Sequence, residues 1–91
     1  MNIRGRKPTN AFKAQACYLR TGDDALEDAV FFRSVKDATA DYRDTARELD
    51  RYGQSIGATL HFVDGPDEEP AEYPDRVLSL TERGAVKSER A

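Results

Sequence analysis

The chain has 91 residues, of which 34% are charged and 38% apolar, and its formal net charge at pH 7 is −3. This length supports one domain over residues 1–91 and leaves no room for two hydrophobic cores. The longest apolar run, residues 29–32, is far too short to span a membrane. The single cysteine cannot form an internal disulfide, which favours a reducing compartment. We therefore expect a cytoplasmic protein without a membrane partner.

Basic and acidic side chains are distributed unevenly along the chain. Residues 1–22 contain five bases and no acid, whereas residues 23–91 contain all 17 acids and the other nine bases. Residues 1–9 are polar and are predicted to form a basic flexible arm. A basic arm on an acidic body can contact nucleic acid. The side chains that would make this contact are Arg4, Arg6, Lys7 and Lys13.

Two strands are predicted before the helix. Residues 11–20 alternate with a period of two, which is typical of a half-buried strand. The face predicted to point into the core carries Phe12, Ala14, Ala16 and Tyr18, while Lys13, Gln15 and Cys17 point the other way. A polar turn follows, and residues 26–33 are predicted to form the second strand, with Leu26, Val30 and Phe32 inward. Phe31 then lies on the opposite face, where it either covers a sheet edge or forms an exposed contact.

The helix carries the clearest signals of any element. Ser34 is a suitable N-cap, and Asp37 three residues later completes a capping pattern. Gly53 stands where a glycine ends a helix, so the pattern predicts a helix over residues 35–52. The apolar stripe expected to face the sheet consists of Val35, Ala38, Tyr42, Ala46 and Leu49.

Two more strands follow the helix. Residues 55–63 are predicted as a strand with Ile56, Ala58, Leu60 and Phe62 inward, and residues 76–81 as a strand with Leu78 and Leu80 inward. The folded core is expected over residues 10–83, with a fraying tail at 84–91. The element order β-β-α-β-β predicts an α+β fold of two layers, in which one helix packs on a four-stranded antiparallel sheet.

Few residues offer catalytic or metal chemistry. His61, the only histidine, lies on the predicted polar face of a strand, where we expect a surface or partly packed side chain rather than a catalytic base. Cys17 is expected to be a small buried or edge residue rather than a reactive thiol. No paired cysteine motif, EF-hand pattern or phosphate-binding glycine loop is present. We therefore predict no enzyme activity, no metal and no cofactor.

The most distinctive stretch is residues 64–75, which we call the acidic loop. It contains three prolines, six carboxylates and one tyrosine. The prolines exclude a helix and favour a stiff, extended, exposed loop. Tyr73 either anchors a partner or packs back onto the sheet. The residues predicted to bind a basic partner are Asp64, Asp67, Glu68, Glu69, Glu72, Tyr73 and Asp75.

Two short stretches, L-D-R-Y-G-Q at residues 49–54 and V-L-S-L-T-E-R-G at residues 77–84, contribute to a wider resemblance. Over residues 11–86 the chain looks like the small accessory proteins carried by phages and mobile elements, among which are the anti-CRISPR inhibitors. That resemblance implies a protein that binds a host complex, in some members through an acidic surface, and it assigns no catalytic residue.

The sequence therefore predicts a non-enzymatic protein-binding module, of the kind found among phage-encoded inhibitors, whose partner is a basic host protein or a nucleoprotein complex. The alternative is a small nucleic-acid-binding protein that uses its basic N-terminal arm. Steep salt dependence of binding to random oligonucleotides would favour the alternative.

Overall fold

A computed structural model describes residues 14–91 and shows two layers, one helix and a five-stranded antiparallel sheet. The strand order is β2-β1-β3-β4-β5, and every neighbouring pair is antiparallel. The predicted α+β class with a single helix is therefore confirmed. The elements are β1 Cys17–Thr21, β2 Val30–Phe32, α1 Val35–Asp50, β3 Ala58–Phe62, β4 Arg76–Leu80 and β5 Val86–Arg90.

Helix α1 begins and ends at the predicted signals. The hydroxyl of Ser34 accepts a hydrogen bond from the N–H of Asp37 at 3.1 Å, which satisfies one of the free donors of the first turn. After the last regular residue the chain closes a Schellman turn, in which the N–H of Gln54 donates to the carbonyl of Leu49 at 3.0 Å. Gly53 has a φ of +76° in this turn, a conformation that favours glycine.

The hydrophobic core lies between α1 and one face of the sheet, which we call the inner face. Residues paired directly across antiparallel strands share a face, so the register of β1, β3 and β4 determines its composition. Tyr42 fills the centre from the helix side, and its hydroxyl donates to the carbonyl of Ile56 at 2.6 Å. The inner face contributes Cys17, Leu19, Ala58, Leu60 and Leu78, all buried.

The predicted inward face of β1 is wrong. Cys17 and Leu19 point into the core, and Tyr18 lies on the opposite face, which we call the outer face. Tyr18 packs there against Phe31 of β2, with ring centroids 5.6 Å apart in an edge-to-face arrangement. Both faces of β1 are covered, so alternation of apolar and polar residues does not distinguish them. Phe12 and Lys13, also part of that prediction, lie outside the described residues.

Strand β2 is shorter than predicted. Residues Leu26–Asp28 form a turn of 3-10 helix instead of extending the strand. Val30 is 56% exposed, whereas Phe32 packs against the core beside Cys17. Of the three residues predicted to point inward, only Phe32 therefore joins the core.

The fifth strand lies in the segment predicted to fray. Residues Val86–Arg90 pair with β4 from Leu80↔Val86 to Arg76↔Arg90, so the sheet has five strands and not the predicted four. Gly84, at a φ of +80°, shapes the turn between the two strands. The strand carries one apolar residue among three charged residues and a serine, a composition typical of an edge strand.

Candidate functional site

The acidic loop, residues 64–75, connects β3 to β4 and bends back over the outer face of the sheet. A turn at its start brings the N–H of Glu68 to the carbonyl of Gly65 at 3.2 Å. The hydroxyl of Tyr18 donates to the carbonyl of Pro66 at 3.4 Å. Just before the loop, the side-chain amide of Gln15 donates to the carbonyl of Val63 at 2.9 Å. The loop is therefore bent and packed on β1. The predicted extended conformation is wrong.

His61 fastens the middle of the acidic loop. The side chain lies on the outer face of β3 and is fully buried, so the predicted surface or partly packed position is wrong. Its Nδ1 is 2.7 Å from the carbonyl of Ala71, and because a carbonyl only accepts, Nδ1 must donate. Its Nε2 is 2.9 Å from the hydroxyl of Thr59. Nδ1 thus holds the loop on the strand, and Nε2 bonds to a neighbour on the same strand, which orients the ring.

Asp75 fastens the end of the loop. Its carboxylate accepts the N–H of Phe62 at 2.8 Å, and its own N–H donates to the carbonyl of Leu60 at 2.8 Å. Its carbonyl also accepts the N–H of Ala91 at 3.2 Å, directly beyond β5. One residue therefore links the loop to β3 and to the end of β5.

All seven residues predicted to bind a partner are exposed. Two of the carboxylates also have a structural role, because Asp75 accepts from Phe62 as described, and Glu68 accepts the N–H of Asp64 at 2.9 Å. The remaining carboxylates that project from the loop are Asp64, Asp67, Glu69 and Glu72. The charged surface is thus carried by a loop whose own acids help to shape it.

The side chain of Tyr73 is 80% exposed, which contradicts the alternative in which it packs back onto the sheet. It lies between the two fastened residues, Ala71 and Asp75, and directly before Pro74. An aromatic side chain is thereby presented to solvent on backbone that is fixed on both sides.

Other acidic clusters lie away from the acidic loop. The acids of the first turn, Asp23 and Asp24, follow the end of β1 that pairs with Ala58, whereas the loop follows the opposite end of β3. The acids of α1 lie beyond the inner face, on the other side of the sheet. The acidic loop is therefore a separate patch and not part of a continuous charged surface.

An open groove of about 470 Å³ lies beside the start of the acidic loop. Phe31 and Val63 line it together with Arg33 and Asp64, so it contains charges of both signs. Its lining gives no clear preference for an anionic or a cationic ligand.

The remaining reactive groups have structural surroundings. Burial raises the pKa of the Cys17 thiol to about 11, so the thiol stays protonated and unreactive at neutral pH. Burial also raises the pKa of Tyr42. Within residues 14–91, no three imidazole, thiol or carboxylate groups lie together in a way that could hold a metal ion.

The alternative nucleic-acid contacts, Arg4, Arg6, Lys7 and Lys13, lie outside the described residues.

His61 and Asp75 hold the acidic loop in place, and sequence reasoning missed the role of His61 entirely. Its partner in the loop is a backbone carbonyl ten residues away, which leaves no pattern in the sequence.

The described part of the chain has no helix with the length and apolarity needed to cross a membrane. Comparison of the chain with protein-family models, with curated proteins and with solved structures finds no match.

Proposed function

We propose that this protein is a non-enzymatic binding module that contacts a basic protein partner through the acidic loop. The observation that carries the proposal is the exposure of Tyr73 on fastened backbone. Tyrosine is enriched among the residues that dominate binding energy at protein interfaces, where truncation weakens binding by about 2 kcal/mol or more. An aromatic side chain held ready on a rigid loop loses little conformational entropy when it binds.

The hydrogen bonds around Tyr73 explain why the loop needs no partner to take its shape. His61 holds Ala71 on one side of the tyrosine, and Phe62 holds Asp75 on the other. Pro74 further restricts the backbone between them. The contact surface is thus organised before the encounter, which supports a binding role over that of a simple connection.

The exposed carboxylates determine the kind of partner that the loop attracts. Asp67, Glu69 and Glu72 precede the tyrosine in the sequence and are exposed to solvent. Such a cluster speeds and steers the approach of a positively charged surface, and the effect weakens as salt is added. A basic protein, or the protein surface of a nucleoprotein complex, has the complementary charge.

The biological role that we propose is inhibition of a host complex, as in the phage and mobile-element accessory proteins that the sequence resembles. A small module that covers a basic surface competes with whatever that surface normally binds. In a nucleoprotein complex the competitor would be nucleic acid, whose phosphates seek the same bases.

The first test compares Tyr73→Ala with wild type as immobilised baits in a bacterial lysate at low salt. Tyr52→Ala is the matched control, because Tyr52 is 73% exposed and lies just beyond the C-terminal end of α1, outside the acidic loop. We expect wild type and Tyr52→Ala to retain the same basic protein. With that protein purified, Tyr73→Ala should bind about 30-fold more weakly. Equal affinity of all three baits would contradict the proposal.

The second test neutralises the loop with Asp67→Asn, Glu68→Gln and Glu69→Gln together. The glutamine at position 68 retains an oxygen that can accept the N–H of Asp64. We expect slower association with the purified partner and a flatter dependence of the association rate on salt.

The control for the second test makes the same change of charge on α1, with Asp41→Asn, Asp44→Asn and Glu48→Gln. These side chains are exposed on the far side of the sheet from the loop. If both triple variants change the association rate equally, net charge alone is responsible and the loop has no special part.

A further inference from the structure

Strand β5 forms one edge of the sheet and pairs only with β4 among the described residues. Two backbone hydrogen bonds show which residues of β5 and its flanks bond to the β4 side. The N–H of Thr81 donates to the carbonyl of Ala85 at 2.7 Å, and the N–H of Ala91 donates to the carbonyl of Asp75 at 3.2 Å. The bonding residues on the β5 side, 85 and 91, are therefore odd-numbered. Because antiparallel pairing alternates, the N–H and C=O groups of Val86, Ser88 and Arg90 point away from β4.

The side chains along this edge carry a pattern that is complementary to itself. Lys87 and Glu89 both lie on the outer face, with Nζ and Oε1 3.4 Å apart, and both side chains are 60% exposed. Ser88 lies between them on the inner face. Reversing the direction of the strand about Ser88 exchanges the two charges.

We propose that β5 pairs in an antiparallel manner with β5 of a second copy of this chain, about a two-fold axis at Ser88. The outward N–H and C=O groups of Ser88 then meet those of Ser88 in the second copy, and Val86 meets Arg90 in the same way. Lys87 faces Glu89 of the second copy, and the pair occurs twice. Two such cross-strand pairs of opposite charge favour this arrangement.

The charges also select the register. Moving the axis by one residue toward the start of the strand places Lys87 opposite Lys87, and moving it the other way places Glu89 opposite Glu89. Like charges directly opposite each other destabilise a strand pair. The Ser88-centred register avoids both arrangements and uses the full length of the strand.

The side chain of Arg76 contacts this edge at Ser88. It donates from Nη2 to the carbonyl of Ser88 at 2.9 Å and from Nε to the hydroxyl of Ser88 at 3.1 Å. A carbonyl oxygen has two lone pairs, so one remains for the N–H of the second copy. Arg76 also fixes the orientation of Ser88, so the residue at the axis is ordered before pairing.

The acidic loop stays accessible in this dimer. Apart from the bond between Asp75 and Ala91, the loop is fastened to β1 and β3, which are separated from the β5 edge by β4. The dimer is therefore a ten-stranded sheet that presents two acidic loops, and it does not depend on the binding role proposed for them.

The experiment is sedimentation velocity of the full chain over a series of concentrations at low salt. Wild type should show a concentration-dependent dimer. Lys87→Glu and Glu89→Lys should each weaken dimerisation about tenfold or more, because each places like charges opposite each other twice. Lys36→Glu, which makes the same charge change on the exposed side of α1, should leave dimerisation unchanged.

Restoring complementarity should restore the dimer. The double variant Lys87→Glu with Glu89→Lys again places opposite charges face to face, and should dimerise like wild type. A mixture of the two single variants should form a heterodimer. Wild type that stays monomeric at every concentration, or single variants that dimerise as wild type does, would overturn the proposal.

A backbone variant tests the pairing independently of charge. Ser88→Pro removes the outward N–H at the axis and the hydroxyl that accepts from Arg76 Nε, but it removes no backbone hydrogen bond to β4 and keeps the carbonyl that accepts from Arg76 Nη2. We expect a folded monomer, with circular dichroism showing the fold. If Ser88→Pro does not fold, the charge variants still decide, and a folded Ser88→Pro dimer would place the interface elsewhere and overturn the proposal.

Discussion

The inner face of the sheet is covered by the side chains of a helix, whereas the outer face over β1 and β3 is covered by a loop that is held through hydrogen bonds. On the inner face Tyr42 meets Leu60 and Leu78 in an apolar layer. On the outer face His61 and Tyr18 bind backbone carbonyls of the acidic loop. His61 on the outer face is as fully buried as Leu60 on the inner face, but the two coverings depend on different forces.

This difference assigns different roles to the two faces. Apolar burial on the inner face contributes most of the free energy of folding. Directional hydrogen bonds on the outer face contribute less free energy, but they position the acidic loop. Variants of the inner face should therefore change global stability, and variants of the outer face should mainly change the order of the loop.

The largest effect is expected from Leu60→Ala on the inner face. Leu60 is 0% exposed, and removing its side chain leaves a cavity against α1, so the free energy of unfolding should fall by about 2–5 kcal/mol. Leu49→Ala should be milder, because Leu49 is only half-buried. Urea denaturation of both variants measures the difference. An equal loss of unfolding free energy in the two variants would show that the depth of burial on the inner face does not determine stability.

A smaller and more local effect is expected from His61→Ala on the outer face. The change removes two hydrogen bonds and leaves the Ala71 carbonyl without its donor, which should lower stability by about 1–3 kcal/mol. Amide exchange should accelerate in the acidic loop before it changes in α1.

Thr59→Val is the matched control for His61→Ala, since it removes the partner of Nε2 and leaves the bond to Ala71. Its loop amides should exchange nearly as slowly as in wild type. If they accelerate as much as those of His61→Ala, the bond to Ala71 is not what holds the loop.

The third prediction uses pH to probe the inner face. The pKa of Cys17 is raised from 9.0 to about 11 by burial, so the folded state keeps a proton that the unfolded chain loses. This contribution to stability is complete below pH 9 and is lost as pH rises toward 11. Cys17→Ala should show a shallower decline over this range in denaturation experiments. A decline as steep as in wild type would mean that the thiol does not contribute.

The smallest effect on stability is expected from Tyr73→Ala. Its ring is 80% exposed, so the free energy of unfolding should change by less than about 0.5 kcal/mol. Thermal denaturation measures this directly. A loss as large as that of His61→Ala would indicate that the ring packs on the loop, and its part in binding would have to be reconsidered.

The sequence allowed accurate prediction where the signal is local. The cap at Ser34, the stop at Gly53 and the inward positions of Leu60 and Leu78 depend on a few neighbouring residues and on one covered face. The inward face of β1 could not be predicted, because apolar side chains are covered on both of its faces: Leu19 is buried on the inner face and Tyr18 is half-buried on the outer face. Strand β5 was missed since an edge strand needs no apolar alternation.

The acidic loop shows where sequence reasoning ends. Its exposure and its charge were predicted from the carboxylates and prolines. Its bent shape depends on His61 reaching the carbonyl of Ala71 and on Asp75 reaching the N–H of Phe62. Backbone groups are the same in every residue, so no residue pattern identifies such partners before the fold is known.

The junction at Asp75 constrains how the acidic loop can evolve. Its carboxylate is an acceptor for one backbone N–H, and its main chain bonds to Leu60 and Ala91. Asparagine offers an acceptor at the same reach, whereas glutamate places its oxygens one methylene farther away. Substitution at position 75 should therefore follow side-chain length and not charge. At Asp67, Glu69 and Glu72, aspartate and glutamate should replace each other freely. The sequence of the acidic loop can therefore change at these positions without a change in its conformation.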